Sequence, residues 1–173
     1  MDIKSKIRTI PDFPKKGIQF RDITTLIKDP EALAYTVDKM CEPFYGRGIN
    51  KVVGIESRGF IFGALIAQKL KAGFVLLRKK GKLPAETVSE EYNLEYGKDV
   101  IEIHKDAITP GDKVLVVDDL VATAGTILAA INLVKKVGGN VSGVSYVIDL
   151  PDVGGSKKLK KYDPHFLVSF EGD

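Results

Sequence analysis

The segment 114–126 constrains the fold of this chain more than any other stretch of its sequence. It begins with four aliphatic residues, 114–117, which predict a strand buried on both faces, as in parallel sheets. Asp118 and Asp119 follow, then a loop of small and hydroxyl residues, and 127–137 has the apolar periodicity of a helix. Because ligands of open α/β sheets bind at the carboxyl ends of the strands, the segment predicts a ligand site as well as a fold.

The same loop has the chemistry of a sugar-phosphate site. The first turn of a helix offers unpaired N–H groups and a positive dipole end, and both favour a phosphate. Carboxylates beside it can accept hydrogen bonds from sugar hydroxyls. The structural alternative is that Asp119 caps the helix and that the loop is a tight turn. An acidic pair alone is a weak indication, and the pattern of the whole run is what favours a ligand site.

Composition and charge describe an ordinary globular domain. With 173 residues, 44% of them hydrophobic and 28% charged, the chain is long enough for one domain with its own core. Its single cysteine, Cys41, cannot form an internal disulfide, which suits a reducing cytoplasm. We see neither the apolar run of a signal peptide nor the stretch of roughly 20 apolar residues that a membrane span needs. The net charge of +3 is too small to indicate nucleic-acid binding. We therefore expect a cytoplasmic protein without membrane or nucleic-acid partners.

Strands and helices alternate along the chain, which predicts an α/β fold with a central, mostly parallel sheet flanked by helices. Predicted strands lie at 52–55, 74–77, 114–117, 144–148 and, at the sheet edge, 166–170. Predicted helices lie at 31–45, at 60–70, where Gly73 ends the helix, and at 127–137, where Gly138 and Gly139 end it.

The segment 78–113 separates two core strands and carries no convincing helix. Loops longer than about 15 residues are usually functional or contain a small subdomain. Apolar and polar residues alternate over 100–104, which predicts a strand and makes part of the segment a hairpin. The stretch 82–96 carries several glutamates and predicts a mobile lid.

Two further turns follow predicted strands and suit an anion. The turn 54–60 contains Arg58 but lacks the Lys-Ser/Thr pair of a Walker loop and the spacing of a dinucleotide site; a plain helix cap is the alternative. The segment 78–82 puts four cations into five residues, which favours a diphosphate over a solvated turn. The lysine cluster 157–161 predicts a solvated face rather than a binding patch.

Segment 114–126 closely resembles the phosphoribosyl pyrophosphate (PRPP) signature of the type I phosphoribosyltransferases. The segment 20–24, Phe-Arg-Asp-Ile-Thr, resembles the adenine-specific branch of that family in particular. Two residues depart from the family pattern: Lys16 replaces a proline, and Ala124 replaces a glycine, so we expect a negative φ at Ala124. The segments that resemble the adenine branch in order and spacing, and extend the resemblance over nearly the whole chain, are 13–24, 56–60, 78–84 and 92–97.

The resemblance implies the type I phosphoribosyltransferase fold in one domain, 1–173, with a small hood from residues 1–30 and a lid from residues 82–97. It implies an enzyme of purine salvage that transfers the 5-phosphoribosyl group of PRPP to N9 of adenine and releases AMP and pyrophosphate. Mg²⁺ is the implied cofactor, and a homodimer is the implied assembly.

The resemblance also implies roles for residues around the ribose and the lid. Asp118 and Asp119 would hold the ribose hydroxyls, directly or through the shell of a Mg²⁺ ion. Glu95 on the lid would manage a proton near N7 of adenine, and Tyr96 would help to close the site, while Arg58 is a second catalytic candidate. The implied ligands of the 5-phosphate are Ala122, Thr123, Ala124, Gly125 and Thr126.

Two more sets of residues follow from the resemblance. The implied pyrophosphate ligands are Glu56, Ser57, Arg58, Lys79, Lys82 and, across a dimer interface, Arg78. The Glu56–Ser57 peptide is expected to be cis. The implied adenine ligands are Gln19, Phe20 and Arg21, with the ring of Phe20 stacked on the base and the backbone of its neighbours reading the base edge.

Two alternative functions remain open at this stage. A transferase for xanthine, hypoxanthine or guanine would share the PRPP signature, but the Phe20-Arg21-Asp22 segment argues against it. A PRPP-sensing regulator would need a DNA-binding module, for which neither terminus is expected to leave room. Glu95 on the lid also favours the enzyme.

Overall fold

The computed structural model describes residues 1–94 and 97–172. Within them, the strands are β1 (Arg8–Pro11), β2 (Gln19–Asp22), β3 (Lys51–Ile55), β4 (Gly73–Lys79), β5 (Thr87–Leu94), β6 (Gly97–His104), β7 (Lys113–Val117), β8 (Leu120–Val121), β9 (Asn140–Asp149) and β10 (Pro164–Ser169). The α-helices are α1 (Thr24–Ile27), α2 (Pro30–Cys41), α3 (Arg58–Leu70) and α4 (Gly125–Lys136), and 3-10 helices span Lys4–Lys6, Glu42–Phe44 and Gly155–Tyr162.

The central sheet has the strand order β10-β9-β7-β3-β4-β6-β5, and β8 pairs with β9 outside this path. The strands from β10 to β4 are parallel, while β6 and β5 run antiparallel to their neighbours. The prediction of a mostly parallel α/β sheet is therefore confirmed. Because the parallel strands share one direction, the carboxyl ends of β3, β4 and β7 meet at one edge of the sheet.

Both faces of β7 are buried, as its aliphatic sequence predicted. Val114 and Val116 pack in the hydrophobic layer that contains α4. Leu115 and Val117 pack in the opposite layer, with α2 and α3. This alternation follows from the period of two residues in a strand, and it seats the acidic pair after β7 between the two layers.

Two predicted helices have different ends in the structure. The helix predicted at 31–45 ends at Cys41, because Pro43 has no N–H group and a 3-10 turn, Glu42–Phe44, continues the chain. The helix predicted at 60–70 begins earlier, at Arg58. Lys71 rather than Gly73 ends it, because Lys71 adopts a left-handed conformation with φ of 55°. The longest described helix, α3, has 13 residues, and no described helix is both long and apolar enough to cross a bilayer.

The segment predicted as a lid contains regular structure. Residues 87–94 form β5, which pairs residue by residue with β6 in a long antiparallel hairpin. The strand forms because Val88 and Tyr92 turn their apolar surface toward the core beside α4 while polar residues alternate with them. The strand predicted at 100–104 is confirmed as part of β6. Lid mobility stays a prediction, and Glu95 and Tyr96 lie outside the described residues.

The N-terminal residues form a separate small hairpin of β1 and β2, outside the central sheet. Asp22 ties this hairpin together, accepting hydrogen bonds from Arg8 and from Thr24. Burial alone would raise the pKa of Asp22, but these donors outweigh it and lower the pKa to about 2. The hairpin places Phe20 against Phe13, with ring centroids 5.2 Å apart.

Candidate active site

The carboxyl ends of β3, β4 and β7 open onto a cavity of about 510 Å³. Its walls bring together three segments that are far apart in the sequence: the end of β3, the basic turn after β4, and the loop after β7. The predicted site residues that line it are Glu56, Ser57, Arg58, Lys79, Lys82, Asp118, Asp119, Ala122, Thr123, Ala124, Gly125 and Thr126.

The acidic pair lies at the floor of this cavity beside an arginine. Asp119 is buried, and its Oδ2 accepts a hydrogen bond from Nε of Arg58 at 2.5 Å. The Asp118 side chain keeps partial access to the cavity, and its Oδ1 accepts from the N–H group of Asp119 at 2.9 Å. Burial, followed by the nearby Asp119 carboxylate, raises the pKa of Asp118 well above its usual range. The pair thus offers carboxyl oxygens to hydroxyl groups, and Arg58 balances the charge of Asp119.

Ala124 has a φ of 69°, so the expectation of a negative φ is wrong. The residue precedes α4 in the left-handed conformation that the glycine of the family pattern adopts freely. Its conformation costs alanine about 1 kcal/mol, and the contacts of the folded loop offset this cost. Ala124 is 5% exposed, and its carbonyl accepts the first helical hydrogen bond of α4, from Leu128.

The loop 122–126, called the phosphate loop below, presents unpaired N–H groups. Within the described part of the chain, the N–H groups of Thr123, Ala124, Thr126 and Ile127 donate no hydrogen bond to the protein. The N–H group of Gly125 has only a contact of 3.5 Å to Oγ1 of Thr123. Backbone donors grouped at the N-terminus of a 12-residue helix suit a phosphate.

Glu56 organises the basic side of the cavity. Its carboxylate accepts hydrogen bonds from Nζ of Lys82 at 2.5 Å, from the N–H group of Lys79 at 2.8 Å, and from Arg78 at 3.2 Å. Burial acts to raise the pKa of Glu56, but these three donors outweigh it and lower the pKa to about 2. The carboxylate therefore holds cations in place, and any direct contact of this residue with an anion would come from its backbone. The Glu56–Ser57 peptide is cis, as the resemblance implied.

Comparison with known proteins agrees with this geometry. The phosphoribosyl transferase domain family matches residues 19–171. The adenine phosphoribosyltransferase of Nitrosomonas eutropha is 60% identical over 173 residues, covering 99% of both chains, and that of Chlorobaculum tepidum is 55% identical over 177 residues, covering all of both. This chain belongs to the adenine phosphoribosyltransferase family.

Solved structures of the family share the fold described above. The adenine phosphoribosyltransferase of Rhodothermus marinus has a TM-score of 0.93 at 51% identity and covers 97% of this chain and 96% of its own. The enzyme of Saccharomyces cerevisiae, solved with adenine and an iminoaltritol bisphosphate, has a TM-score of 0.91 at 37% identity and covers 96% of both chains. The type I fold inferred from the sequence is thereby confirmed.

The predicted adenine residues of this family member lie beside the cavity rather than in its wall. Gln19, Phe20 and Arg21 form β2 of the N-terminal hairpin. The guanidinium of Arg58 lies 5.6 Å from the ring centroid of Phe20 and so joins this hairpin to the cavity. The Arg21 guanidinium lies over the ring of Phe170, at 4.4 Å from its centroid. Arg78 is also outside the cavity lining, and it donates to the carboxylate of Glu56.

Sequence reasoning missed two partners of Lys79: Tyr92, which also lines the cavity, and Asp99, which does not. Nζ of Lys79 donates to the carboxylate of Asp99 and to the hydroxyl of Tyr92, the latter at 3.1 Å. Burial acts to lower the pKa of Lys79, but these partners raise it. The contact arises because β4 pairs with β6 in a register that aligns Lys79 with Ile101, two residues from Asp99. The alternation of Tyr92 with polar neighbours was visible in the sequence and could have indicated an inward-facing side chain. The register between β4 and β6, which brings Asp99 to Lys79, is not visible in the sequence.

Proposed function

We propose that this chain transfers the 5-phosphoribosyl group of PRPP to N9 of adenine and releases AMP and pyrophosphate. The observation that carries the proposal is the cavity in which unpaired N–H groups, an aspartate pair and a group of cations converge. The N–H groups match the 5-phosphate of PRPP, the aspartate pair matches its ribose hydroxyls, and the cations match its diphosphate. The adenine specificity rests on the relatives, which are named adenine phosphoribosyltransferases.

The phosphate loop and the acidic pair would orient the ribose. The N–H groups of residues 123–127 and the hydroxyls of Thr123 and Thr126 would bind the 5-phosphate. Asp118 and Asp119 would accept hydrogen bonds from the 2- and 3-hydroxyls, which places the reacting carbon between them and the basic turn. The oxygens of the pair would also place negative potential beside the ribose ring, where positive charge develops in the reaction.

Mg²⁺ is part of the proposal, and the residues present fit it. Mg²⁺ prefers oxygen ligands and is commonly held by one or two carboxylates together with substrate oxygens. Asp118 and Asp119 both line the cavity, so they would hold the ion together with oxygens of PRPP. When bound, it supplies charge that stabilises the pyrophosphate leaving group.

The cations on the other side would stabilise the leaving pyrophosphate. Breaking the bond between C1 and its oxygen leaves negative charge on pyrophosphate, and preorganised cations lower the energy of that state. Arg58, Lys79 and Lys82 line the cavity, and they would be the cations that meet the pyrophosphate. Asp99 and Glu56 hold the two lysines, so their charges are positioned before the substrate binds.

The base would bind between the N-terminal hairpin and the cavity. Phe20 would stack on adenine, while backbone groups of Gln19 and Arg21 would pair with the base edge. A backbone acceptor that faces the exocyclic amine would reject the 6-oxo group of hypoxanthine, and such pairing discriminates by about 10⁴-fold. Tyr96 would close the lid, which keeps water away from the cationic ribosyl centre.

We propose a homodimer in the cytoplasm. Leu76 lies in the interior strand β4 and yet is 40% exposed, and Arg78 lies on the same face of that strand. An exposed leucine on an interior strand suits contact with a second copy, which would bring Arg78 toward the partner's site. The cytoplasmic location rests on the single, buried cysteine, Cys41.

The proposed function is tested by measuring pyrophosphate release from PRPP and Mg²⁺ with adenine, hypoxanthine, guanine and xanthine supplied separately. We expect release with adenine and background release with the other bases. Turnover with another base and none with adenine would show that the specificity is wrong. An absence of release with every base would contradict the enzymatic function itself.

The proposed role of Glu95 is tested by Glu95→Gln, which keeps the shape of the side chain and removes its ability to exchange a proton. General acid–base catalysis contributes about 10²- to 10⁴-fold, and we expect kcat to fall within that range while the Kd for PRPP stays the same. Steady-state kinetics and calorimetric binding of PRPP measure the two quantities. Unchanged kcat would remove the proton-transfer role. Glu91→Gln, on the exposed face of β5, is the control and should leave both quantities unchanged.

A further inference from the structure

The 3-10 helix Gly155–Tyr162 packs against the outer side of the phosphate loop. The N–H group of Gly155 donates to the carbonyl of Ala122 at 2.9 Å. A Cβ atom at Gly155 would lie 2.2 Å from that oxygen and 2.7 Å from the backbone nitrogen of Ala124. The helix therefore approaches the loop backbone as closely as only a glycine allows.

A lysine of the same helix binds the next carbonyl of the loop. Nζ of Lys158 donates to the carbonyl oxygen of Thr123 at 3.3 Å. The sequence predicted that the cluster 157–161 is a solvated face, and Lys157, Lys158 and Lys160 are indeed exposed. Lys158 differs from its two neighbours because it also contacts the candidate site.

These two contacts orient the donors of the loop. The peptide bonds of the loop are trans, and in a trans peptide the N–H group points opposite to the C=O group. The carbonyls of Ala122 and Thr123 point at the 3-10 helix, so the N–H groups of Thr123 and Ala124 point away from it. Neither N–H group has an acceptor among the described residues, which leaves both for a phosphate.

We propose that Lys158 is a positioning residue for the 5-phosphate of PRPP, acting through the carbonyl of Thr123. A cation on a carbonyl polarises the whole peptide group, so the N–H group of Ala124 becomes a stronger donor. The ammonium also adds positive charge behind the loop that receives the phosphate. This inference rests on the proposed function, since it concerns the same substrate.

The 3-10 helix is anchored well enough to hold Lys158 in place. Leu159 is fully buried in the layer that contains α4. The hydroxyl of Ser156 and the hydroxyl of Tyr146 both donate to the buried carboxylate of Asp149, each at 3.3 Å. Leu159 and Ser156 thus fix the backbone on both sides of Lys158, while the lysine side chain itself stays in solvent.

Steady-state kinetics of Lys158→Ala test the proposal. Because the contact is made by an exposed ammonium and is partly screened by solvent, we expect KM for PRPP to rise about 3- to 5-fold. We expect kcat and KM for adenine to stay within about twofold, since the contact is made equally in the ground and transition states. Lys158→Arg should restore KM for PRPP, because arginine can also donate to the carbonyl.

Lys157→Ala and Lys160→Ala are matched controls, since each removes one exposed lysine from the same helix. If they raise KM for PRPP as much as Lys158→Ala does, a general charge effect replaces the proposal. An unchanged KM in Lys158→Ala would overturn it directly. Equal changes for PRPP and adenine would overturn it as well, since they would indicate a distorted site.

Binding of ribose 5-phosphate, measured by calorimetry, separates this inference from the proposed function. We expect about 5-fold weaker binding in Lys158→Ala and unchanged binding of adenine. Equal binding of ribose 5-phosphate in the variant and the wild type would overturn the inference. A wild-type protein that binds ribose 5-phosphate but transfers nothing to adenine would contradict the function and leave the Lys158 contact measurable.

Discussion

Ala124 shows at the scale of one residue how the phosphate loop stores strain. Its φ of 69° lies in the region where a Cβ atom meets the following carbonyl. The contacts of the folded loop hold this conformation, and α4 starts directly after it at Gly125, where the carbonyl of Ala124 accepts from Leu128. A left-handed alanine at this point therefore costs the folded chain stability, as is typical of strained residues at functional sites.

We expect Ala124→Gly to stabilise the protein by about 0.5–1 kcal/mol, because glycine adopts this φ without strain. Urea unfolding of the variant and the wild type measures the difference. Ala122→Gly is the matched control, since Ala122 is not among the residues with positive φ and glycine there should destabilise. If Ala124→Gly lost as much stability as Ala122→Gly, the result would contradict the claim that Ala124 is strained.

Glu56 is the second residue whose energetics follow from its contacts. Its pKa falls from 4.5 to about 2 on folding, so the folded protein holds the charged form more tightly than the unfolded chain does. A lowered pKa stabilises the protein fully above pH 4.5, and that stabilisation is lost as the pH falls from about 4.5 to about 2.

Glu56→Gln should therefore lower stability near pH 7 by about 1–2 kcal/mol, a value reduced by solvent screening of the half-exposed Lys82. The difference from the wild type should shrink toward zero as the pH approaches 2. Urea unfolding at a series of pH values measures it. Glu91→Gln removes an exposed carboxylate whose ion pair is open to solvent, and it should give a small difference at every pH. If the stability difference between Glu56→Gln and the wild type stayed the same at every pH, it would contradict the lowered pKa of Glu56.

At the scale of the elements, α3 lies on the sheet through two glycines. A Cβ atom at Gly63 would lie 2.7 Å from the ring of Phe74 and 3.3 Å from Cα of Gly54 in β3. A Cβ atom at Gly54 would also meet the Phe74 ring, at 2.7 Å. The ring therefore fills the space that both glycines leave, and it brings the start of α3, with Arg58, to the edge of the cavity.

Two effects oppose each other in Gly63→Ala. Alanine favours a helix over glycine by about 1 kcal/mol, while an overpacked contact costs about 1–3 kcal/mol. We expect the overpacking to outweigh the helix propensity, so that the free energy of unfolding in urea falls by about 1 kcal/mol or more, because the new Cβ would also lie 3.3 Å from the backbone Cα of Gly54. Ala64→Gly, on the exposed face of α3, measures the propensity term alone. A more stable Gly63→Ala protein would show that the ring can move.

At the scale of the whole molecule, the proposed dimer depends on the exposed face of β4. Leu76→Asp should shift the protein toward the monomer, because a charge on a buried interface is costly to desolvate. Analytical ultracentrifugation measures the mass of the variant. Val153→Asp changes another exposed apolar side chain, 39% exposed, outside the sheet and should leave the mass unchanged. A dimeric Leu76→Asp protein, or a monomeric wild type, would contradict this interface.

The elements whose structure depends on residues close together in the sequence were predicted well. β7, its acidic pair and α4 were found because strand burial and helix periodicity are local properties. β5 was missed, because the apolar faces of Val88 and Tyr92 are explained only by the core that α4 completes. The prediction of a negative φ at Ala124 was wrong for a related reason, since tertiary contacts offset the local strain of the left-handed conformation.

By itself, the sequence determined the α/β class, the order of the elements and the family, and with it the phosphate loop and the candidate cations. Only the tertiary structure decided which polar groups meet there. Arg58 and Asp119 are 61 residues apart, Lys158 and Thr123 are 35 apart, and Lys82 and Glu56 are 26 apart. Propensity and periodicity act between neighbours along the chain, whereas these contacts depend on sheet order and on the packing of the elements against it.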